Sequence, residues 1–306
     1  MIVLRHFERL ACSLLVLFAS SGDSKAVVLV VDAAGGSGTD FVAIQPAVDA
    51  AQHGDTVLVA TGSYLGFGIH GKGISVIAAA GAQVNLVSDI AVRTLVSDRQ
   101  VSLVGLDVTP LIPAQRGLVA ANNEGPVWVE DCHLNGSWGA CLGNGFEDDA
   151  QPGLLAVDCD DLVLLRCVVF GGNGLDWGED SNTFLSWGPG WGAAGADVVR
   201  SQVSVLGGRL RGGWGGSSDD RGANNGGHGV QLSDDSTCFA FLEGTRLIGG
   251  GGGSGGWSGG FGTNCGNGVH CIYAPSPTAG YLRDTVLVPG VGGPSASSSC
   301  SAGADG

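Results

Sequence analysis

Basic side chains are scarce in this sequence. Lysine and arginine together number 14, against 29 aspartate and glutamate residues, and the formal net charge at pH 7 is −15. A surface of this sign repels the phosphates of nucleic acids and the headgroups of anionic lipids. The charge balance therefore argues against nucleic acid and lipid partners, and it favours cations or neutral or cationic polymers.

The sequence also lacks the patterns that usually accompany so much glycine. The 56 glycines follow no Gly-X-Y period, which excludes collagen, and apolar residues make up 44% of the chain, too many for a disordered glycine-rich polymer. No Cys-x-x-Cys pair occurs and only six histidines are present, which argues against a zinc site. A folded, glycine-rich protein remains.

The apolar run near the N-terminus is too short to cross a bilayer core of about 30 Å. Leu14–Ala19 follows Arg5 and Arg9, and the small residues of Ser24–Ala26 fit a cleavage site. The pattern predicts a signal peptide at residues 1–26 and a secreted or cell-surface protein whose mature chain has no membrane span. The alternative is an N-terminal membrane anchor.

Cysteine usage fits export. Nine cysteines are present, and only Cys12 precedes the predicted cleavage site. The even number that remains indicates disulfides in an exported chain. Cys265 and Cys271 are candidates for a disulfide that closes a short loop, and the other pairings stay open.

The glycines punctuate a repeat of two short apolar strand patterns followed by a glycine-rich loop. The repeat occupies residues 117–136, 153–171, 195–212, 229–249 and 268–290. Repeats of this length are typical of stacked, quasi-one-dimensional folds.

Alignment of the repeats predicts what their strands bury. Val127–Leu134 aligns with Leu162–Val169, and the alternation of apolar residues fits rungs of a parallel β-helix about 4.8 Å apart. One equivalent position is held by Cys132, Cys167, Thr245 and Thr285. We expect these side chains to form a stacked column in the interior, with the two cysteines either as packed thiols or as a disulfide.

One helix is predicted, over residues 39–52. Phe41, Ile44, Val48 and Ala51 recur at near-helical spacing. Downstream of it the apolar patterns are strand-like.

The start of the chain resembles a known family. Gly38–Ala51, followed by Gly54–Val59 and Gly62–Tyr64, resembles the opening of pectin-lyase-like right-handed parallel β-helix proteins. Leu164–Asn173 is similar to their rung repeat. The resemblance implies a capping helix that leads into the first rungs. It implies no single activity, because the fold carries lyases, hydrolases, esterases and non-enzymatic adhesins.

The predicted fold class is therefore all-β, a right-handed parallel β-helix with an N-terminal capping helix. The β-helix is expected to cover residues 27–292. A Ser/Gly-rich tail at residues 293–306 is expected to be disordered.

Tryptophans concentrate in or beside the predicted loops. They are Trp138, Trp177, Trp187, Trp191, Trp214 and Trp257. Exposed rings there would stack on the apolar faces of sugars. The alternative is that the rings fold onto the glycines and pack the loops against the scaffold.

Acidic side chains cluster in the same regions. Asp176, Glu179 and Asp180 lie near Asn173 and Asn182, an oxygen-rich set that would suit Ca²⁺. Turn chemistry with a solvated acidic surface is the alternative.

A third constellation resembles the site of polygalacturonases of this fold: the pair Asp219 and Asp220, then His228 between two glycines, then Arg246 as a cation for a substrate carboxylate. Inverting hydrolysis needs one carboxylic acid and one carboxylate. However, Asp220 precedes His228 so closely that both fit in one loop, and no Asn-Thr-Asp motif precedes them.

The residues favour a secreted, non-catalytic β-helix protein. We expect it to contact extracellular polysaccharide or a cell-surface glycan through its Gly/Trp/Asp-rich loops, with Ca²⁺ as a candidate ligand. The alternative is a polysaccharide lyase or inverting glycoside hydrolase of the same fold. A passive module of a larger exported protein is a third interpretation.

Overall fold

A computed structural model describes residues 25–141, 147–176, 178–180, 185–187, 190–217, 224–233, 239–252, 272–273 and 279–291. Most of the strands belong to two parallel sheets of 14 and 7 strands. In these residues there is a single, short helix.

The elements follow one another along the chain as β1 (Val28–Val31), α1 (Ile44–Ala50), β2 (Thr56–Val59), β3 (Gly62–Tyr64), β4 (Gly68–His70), β5 (Ser75–Ala78), β6 (Val84–Leu86), β7 (Ile90–Arg93), β8 (Val101–Val104), β9 (Leu106–Val108), β10 (Leu118–Asn123), β11 (Val127–Glu130), β12 (His133–Asn135), β13 (Ala140–Cys141), β14 (Glu147–Asp148), β15 (Leu154–Cys159), β16 (Leu162–Phe170), β17 (Gly178–Asp180), β18 (Leu185–Trp187), β19 (Ala196–Val199), β20 (Gln202–Arg211), β21 (Val230–Ser233), β22 (Phe239–Ile248), β23 (Ile272–Tyr273), β24 (Ala279–Arg283) and β25 (Val286–Val288).

The chain advances coil by coil through the two sheets. A coil consists of one strand of the smaller sheet and two of the larger, as in β10, β11 and β12. Each strand pairs in parallel with its equivalent one coil later, so that Leu118 lies opposite Leu154 and Val127 opposite Leu162. In later coils the two larger-sheet strands are continuous, as β16, β20 and β22. The path is that of a parallel β-helix, as the repeats predict.

Stacked aliphatic rows fill the interior. In one row, Leu134, Val169, Leu210 and Leu247 lie opposite one another on successive coils, and all four are fully buried. Burying each such side chain contributes about 1.5–3 kcal/mol. Because side chains alternate between the two faces of a strand, the period-two pattern of the sequence specifies which residues join these rows.

The two larger-sheet strands of a coil meet at a sharp bend. The bend residue has positive φ on successive coils: Gly105, Asp131, Arg166, Gly207, Gly244 and Asp284. The next residue turns inward, which forms the column predicted from Cys132, Cys167, Thr245 and Thr285. Gly208 interrupts that column, because a Cβ there would lie 2.1 Å from the carbonyl oxygen of Cys167.

Cys132 and Cys167 are buried free thiols, which decides between the two alternatives for this pair. The Cys132 Sγ contacts the backbone of Leu106 and Glu130 at 3.4 and 3.2 Å. Burial raises the pKa of Cys132 to about 12 and that of Cys167 to about 11. Both side chains are therefore neutral fillers of the interior.

A second row of bends leaves the smaller sheet, at Thr94, Asn122, Asp158 and Arg200. The residues that follow three of these bends, Asn123, Cys159 and Ser201, form a buried polar row. Asn123 accepts a hydrogen bond from the N–H of Leu95 at 3.0 Å, and Ser201 accepts one from the N–H of Cys159 at 3.0 Å. Each side chain thus ties its own coil to the coil before it.

Helix α1 is shorter than the predicted 39–52. Phe41 forms a parallel bridge with Val31, which holds the residues before the helix in extended conformation. At the other end, Ala51 is extended, with ψ of 141°. The Nζ of Lys72 donates to the carbonyl oxygens of Val48, Asp49 and Ala51 at 2.9–3.1 Å. These bonds satisfy acceptors that the end of a helix leaves free.

No helix within the described ranges combines the length and the apolar character needed to span a membrane. Most of the predicted signal peptide and the predicted tail lie outside those ranges, as do Cys265 and Cys271.

Candidate ligand-binding surface

The glycine-rich connections are ordered layers of backbone. One layer leaves the larger sheet at residues 136–139, 171–176, 212–217 and 249–252, and we call it the outgoing layer. The other leads back to the smaller sheet at residues 149–153, 190–195 and 224–229, and we call it the returning layer. These segments are the glycine-rich loops that the sequence predicts, and their backbones are tied together by hydrogen bonds.

Within the outgoing layer, hydrogen bonds join successive coils every third residue. The N–H groups of Gly136 and Gly139 donate to the carbonyl oxygens of Phe170 and Asn173, both at 2.9 Å. The same spacing recurs at Gly171 and Gly174, and at Gly212 and Gly215. Three residues per turn is the period of a polyproline II helix, whose backbone makes no internal hydrogen bonds and needs external partners.

A second set of hydrogen bonds joins the two layers. Gly172 bonds the carbonyl of Gln151 at 2.9 Å, and Gly213 bonds that of Ala193 at 2.8 Å. A Cβ at Gly212 would lie 1.8 Å from the carbonyl oxygen of Gly227 in the returning layer. A Cβ at Gly213 would lie 1.8 Å from the carbonyl oxygen of Gly172, on the preceding coil of the outgoing layer. The approach is so close that only glycine fits, which explains why these connections are rich in glycine.

The register of these hydrogen bonds places Trp138, Asn173 and Trp214 at one equivalent position on successive coils, and all three are exposed. On the next coil the position is held by Gly251, which is buried. The two indole side chains are 66% and 42% exposed, respectively. Asn173 accepts a hydrogen bond from the N–H of Trp214 at 2.9 Å. A Cβ at Gly251 would lie 2.3 Å from the Trp214 ring, so this ring packs on glycine and still presents open surface.

Two cavities flank Trp138. The first, of about 290 Å³, lies between Trp138 and Trp214 and is bordered by Asn135, Phe170 and Arg211. The second, of about 540 Å³, continues along the outgoing layer past the exposed Leu111. We call the two cavities and the ring between them the tryptophan groove. An exposed apolar surface of this kind, rimmed by polar groups, is typical of a binding site.

Three arginines lie beside the groove. Arg209 and Arg246 are opposite one another on β20 and β22, and Arg211 follows Arg209 by two residues on the same face. The guanidinium of Arg209 stacks on Phe170 at 5.4 Å, and that of Arg211 stacks on Trp214 at 5.3 Å. Burial, and then the charge of Arg209, lower the pKa of Arg211. Of these three arginines, only Arg246 is predicted from the sequence as a site residue.

The predicted tryptophans do not form one face. Trp191 is 54% exposed but belongs to the returning layer, and it borders neither cavity of the groove. The backbone of Trp187 pairs with Gly178 in the antiparallel hairpin of β17 and β18. Trp177 and Trp257 lie outside the described residues. Of the predicted tryptophans whose side chains the structure describes, Trp138 and Trp214 line the groove and Trp191 does not.

The predicted metal ligands are partly described. The carboxylate of Asp176 accepts a hydrogen bond from the N–H of Ser217 at 2.7 Å. Glu179 and Asp180 belong to β17. Across the described ranges, no group of three or more His, Cys, Asp or Glu side chains is placed to hold a metal ion.

The predicted acid–base set is described in part. Asp219 and Asp220 lie outside the described residues. His228 is half-buried in the returning layer, where its carbonyl oxygen accepts a hydrogen bond from Gly195 at 2.9 Å. Arg246 lies on the exposed face of β22. The catalytic assignment therefore stays a prediction.

Comparison with known proteins assigns no family to this chain. No protein-family model matches the chain, and no curated protein does. The chain is similar to the crystal structure of pectate lyase Pel9A, with a TM-score of 0.38 and 12% identity, over 92% of this chain and 79% of that one. A similarity at this level supports no functional assignment.

Proposed function

We propose that the protein is a secreted, non-catalytic β-helix protein that binds extracellular polysaccharide in the tryptophan groove. The observation that supports this best is the pair of exposed rings at equivalent positions two coils apart. With coils about 4.8 Å apart, Trp138 and Trp214 are separated by roughly 10 Å along the stack. That is close to the length of two sugar units in an extended chain, so one chain would contact both rings.

The layers beneath the rings favour binding. Hydrogen bonds between the coils and between the layers fix the backbone that carries Trp138, Asn173 and Trp214. A site that is rigid before binding loses little conformational entropy when the ligand arrives. The side chain of Asn173 lies between the rings and would donate to sugar hydroxyls.

The proposal includes the finer fold predicted from the sequence. Parallel strands of one sheet are almost always joined by right-handed crossovers, which supports a right-handed β-helix. The buried face of α1, with Ile44, Ala47 and Val48, supports a capping role at the N-terminal end of the stack. Electron cryomicroscopy or crystallography of the mature protein would test handedness and closure together.

The binding proposal is tested with Trp138→Ala and Trp214→Ala, compared with Trp191→Ala as a matched control. Affinity electrophoresis against a panel of plant, algal and bacterial polysaccharides identifies ligands, and titration calorimetry measures their affinity. Loss of one stacked ring is expected to weaken binding by roughly tenfold. The control changes an equally exposed tryptophan on the returning layer and should bind like the wild type.

Two results would contradict the proposal. Equal weakening by all three variants would show that the groove has no special part in binding. Release of reducing ends or unsaturated products, lost in Asp219→Ala combined with Asp220→Ala, would establish the enzyme alternative in place of a binding protein.

A further inference from the structure

The three arginines beside the tryptophan groove lack the ion pairs that several other arginines of this chain form. Arg166 pairs with Asp131 at 2.8 Å, Arg200 with Asp158 at 2.7 Å, and Arg283 with Glu243 at 3.3 Å. Arg209, Arg211 and Arg246, which we call the arginine row, enter no ion pair found in the described part of the structure. Arg93 and Arg116 share this property, and what distinguishes the row is its position beside the groove. In a chain of net charge −15, carboxylates for such pairs are plentiful.

Aromatic rings hold two members of the row in place. Arg209 lies over Phe170 and Arg211 over Trp214. Stacking on a ring occupies the flat face of a guanidinium and leaves its N–H edge free to form two parallel hydrogen bonds with an oxyanion. The Nε of Arg209 is buried and has no hydrogen-bond partner among the described residues. Such an orphaned donor is costly until an acceptor reaches it.

The row lies where a bound sugar would meet it. Arg211 borders the cavity between the two tryptophans, on the same wall as Phe170. Arg209 lies two residues before Arg211 on β20, on the same face of the larger sheet and further from the groove. Arg246 lies opposite Arg209 on β22. A sugar bound in the cavity between Trp138 and Trp214 would therefore place its substituents toward Arg211 first.

We propose that the tryptophan groove recognises an acidic polysaccharide by direct pairing of its carboxylate or sulfate groups with the arginine row, without a bridging divalent cation. This inference rests on the proposed function and specifies its ligand. Bidentate pairing with arginine suits both kinds of oxyanion. The net negative charge of the chain repels every polyanion, so attraction depends on the local cluster of three cations, and an oligonucleotide competitor in the test decides between a sugar chain and nucleic acid.

The test compares three polymers on the full mature chain: polygalacturonate for carboxylate, dextran sulfate for sulfate, and dextran as a neutral control. The variants are Arg211→Gln and Arg246→Gln, with Arg93→Gln as a control that removes an equal charge from an exposed site on β7. Circular dichroism verifies the fold of each variant. Because Arg246 is exposed on the surface, its variant keeps the test valid if Arg211→Gln fails to fold.

We expect at least one acidic polymer to bind more tightly than dextran, with an affinity that falls as salt rises and is unchanged by EDTA. Arg211→Gln should weaken acidic binding by roughly tenfold to a hundredfold. Arg246→Gln should weaken it less, and Arg93→Gln should have no effect. Binding of polygalacturonate would identify carboxylate as the recognised group, and binding of dextran sulfate would identify sulfate.

Several outcomes would overturn this inference. Equal binding of acidic and neutral polymers, or loss of binding in EDTA, would contradict direct pairing with arginine. The same holds if the arginine variants bind acidic polymers like the wild type, or if a single-stranded oligonucleotide binds more tightly than any acidic polysaccharide. If the tryptophan variants weaken binding while the arginine variants do not, only the acidic preference fails. If no polysaccharide binds, the proposed function fails with it.

Discussion

The most demanding prediction concerns the close approach of successive coils within the outgoing layer, and it is made for Gly213→Ala. The new methyl group would lie 1.8 Å from the carbonyl oxygen of Gly172, so backbone must move by more than 1 Å. Gly213 also donates to Ala193 and accepts from Gly227, both at 2.8 Å. Overpacking costs about 1–3 kcal/mol and each lost hydrogen bond about 1 kcal/mol, so we expect roughly 3–5 kcal/mol of destabilisation.

The assay is urea unfolding followed by tryptophan fluorescence, with hydrogen exchange at the amides of Gly213 and Gly227 as a local readout. The control is Gly36→Ala, where the nearest atom to the new methyl group is 4.0 Å away. We expect that control to stay within about 0.5 kcal/mol of the wild type or to gain slightly, since alanine restricts the unfolded chain. Equal stability and equal exchange protection in both variants would refute the close-packed layers.

Three further predictions follow from the fold. Lys72→Met should lower the melting temperature, because its ammonium group bonds three carbonyl oxygens at the end of α1; an unchanged melting temperature would contradict that role. Cys132 and Cys167 should resist thiol reagents until the protein unfolds. Their raised pKa values give stability that is fully present below the ordinary thiol pKa of 9.0 and is lost as the pH rises toward 11–12, which alkaline unfolding would measure. The hydrogen bond from Arg166 lowers the pKa of Asp131, so NMR titration of that carboxyl should move back toward 3.8 in Arg166→Gln.

The sequence predicts the strand part of the coils well. Alternation of apolar residues decides which side chains enter the stacked rows, and this pattern depends only on neighbours along one strand. The predicted helix was too long because Phe41, which fits its apolar spacing, instead bridges to Val31. That contact joins separate segments and leaves no trace in local spacing.

The site was harder to predict, because it depends on register between coils. Trp138 and Trp214 are far apart in sequence and meet only because each occupies the equivalent exposed position of its coil. The sequence does contain one signal for this register. A Gly-Gly pair, at 171–172 and again at 212–213, directly precedes the outward-facing residue of its coil. The arginine row was missed for the same reason: Arg209 and Arg246 become neighbours only through the pairing of β20 with β22.

The central claim is that polysaccharide binds in the tryptophan groove, and a crystal structure of the mature protein with an acidic oligosaccharide tests it most directly. The account predicts sugar rings stacked on Trp138 and Trp214, with a carboxylate or sulfate within hydrogen-bond distance of Arg211. An oligosaccharide bound on the returning layer beside Trp191, or on the outer face of the smaller sheet with the groove empty, would contradict it.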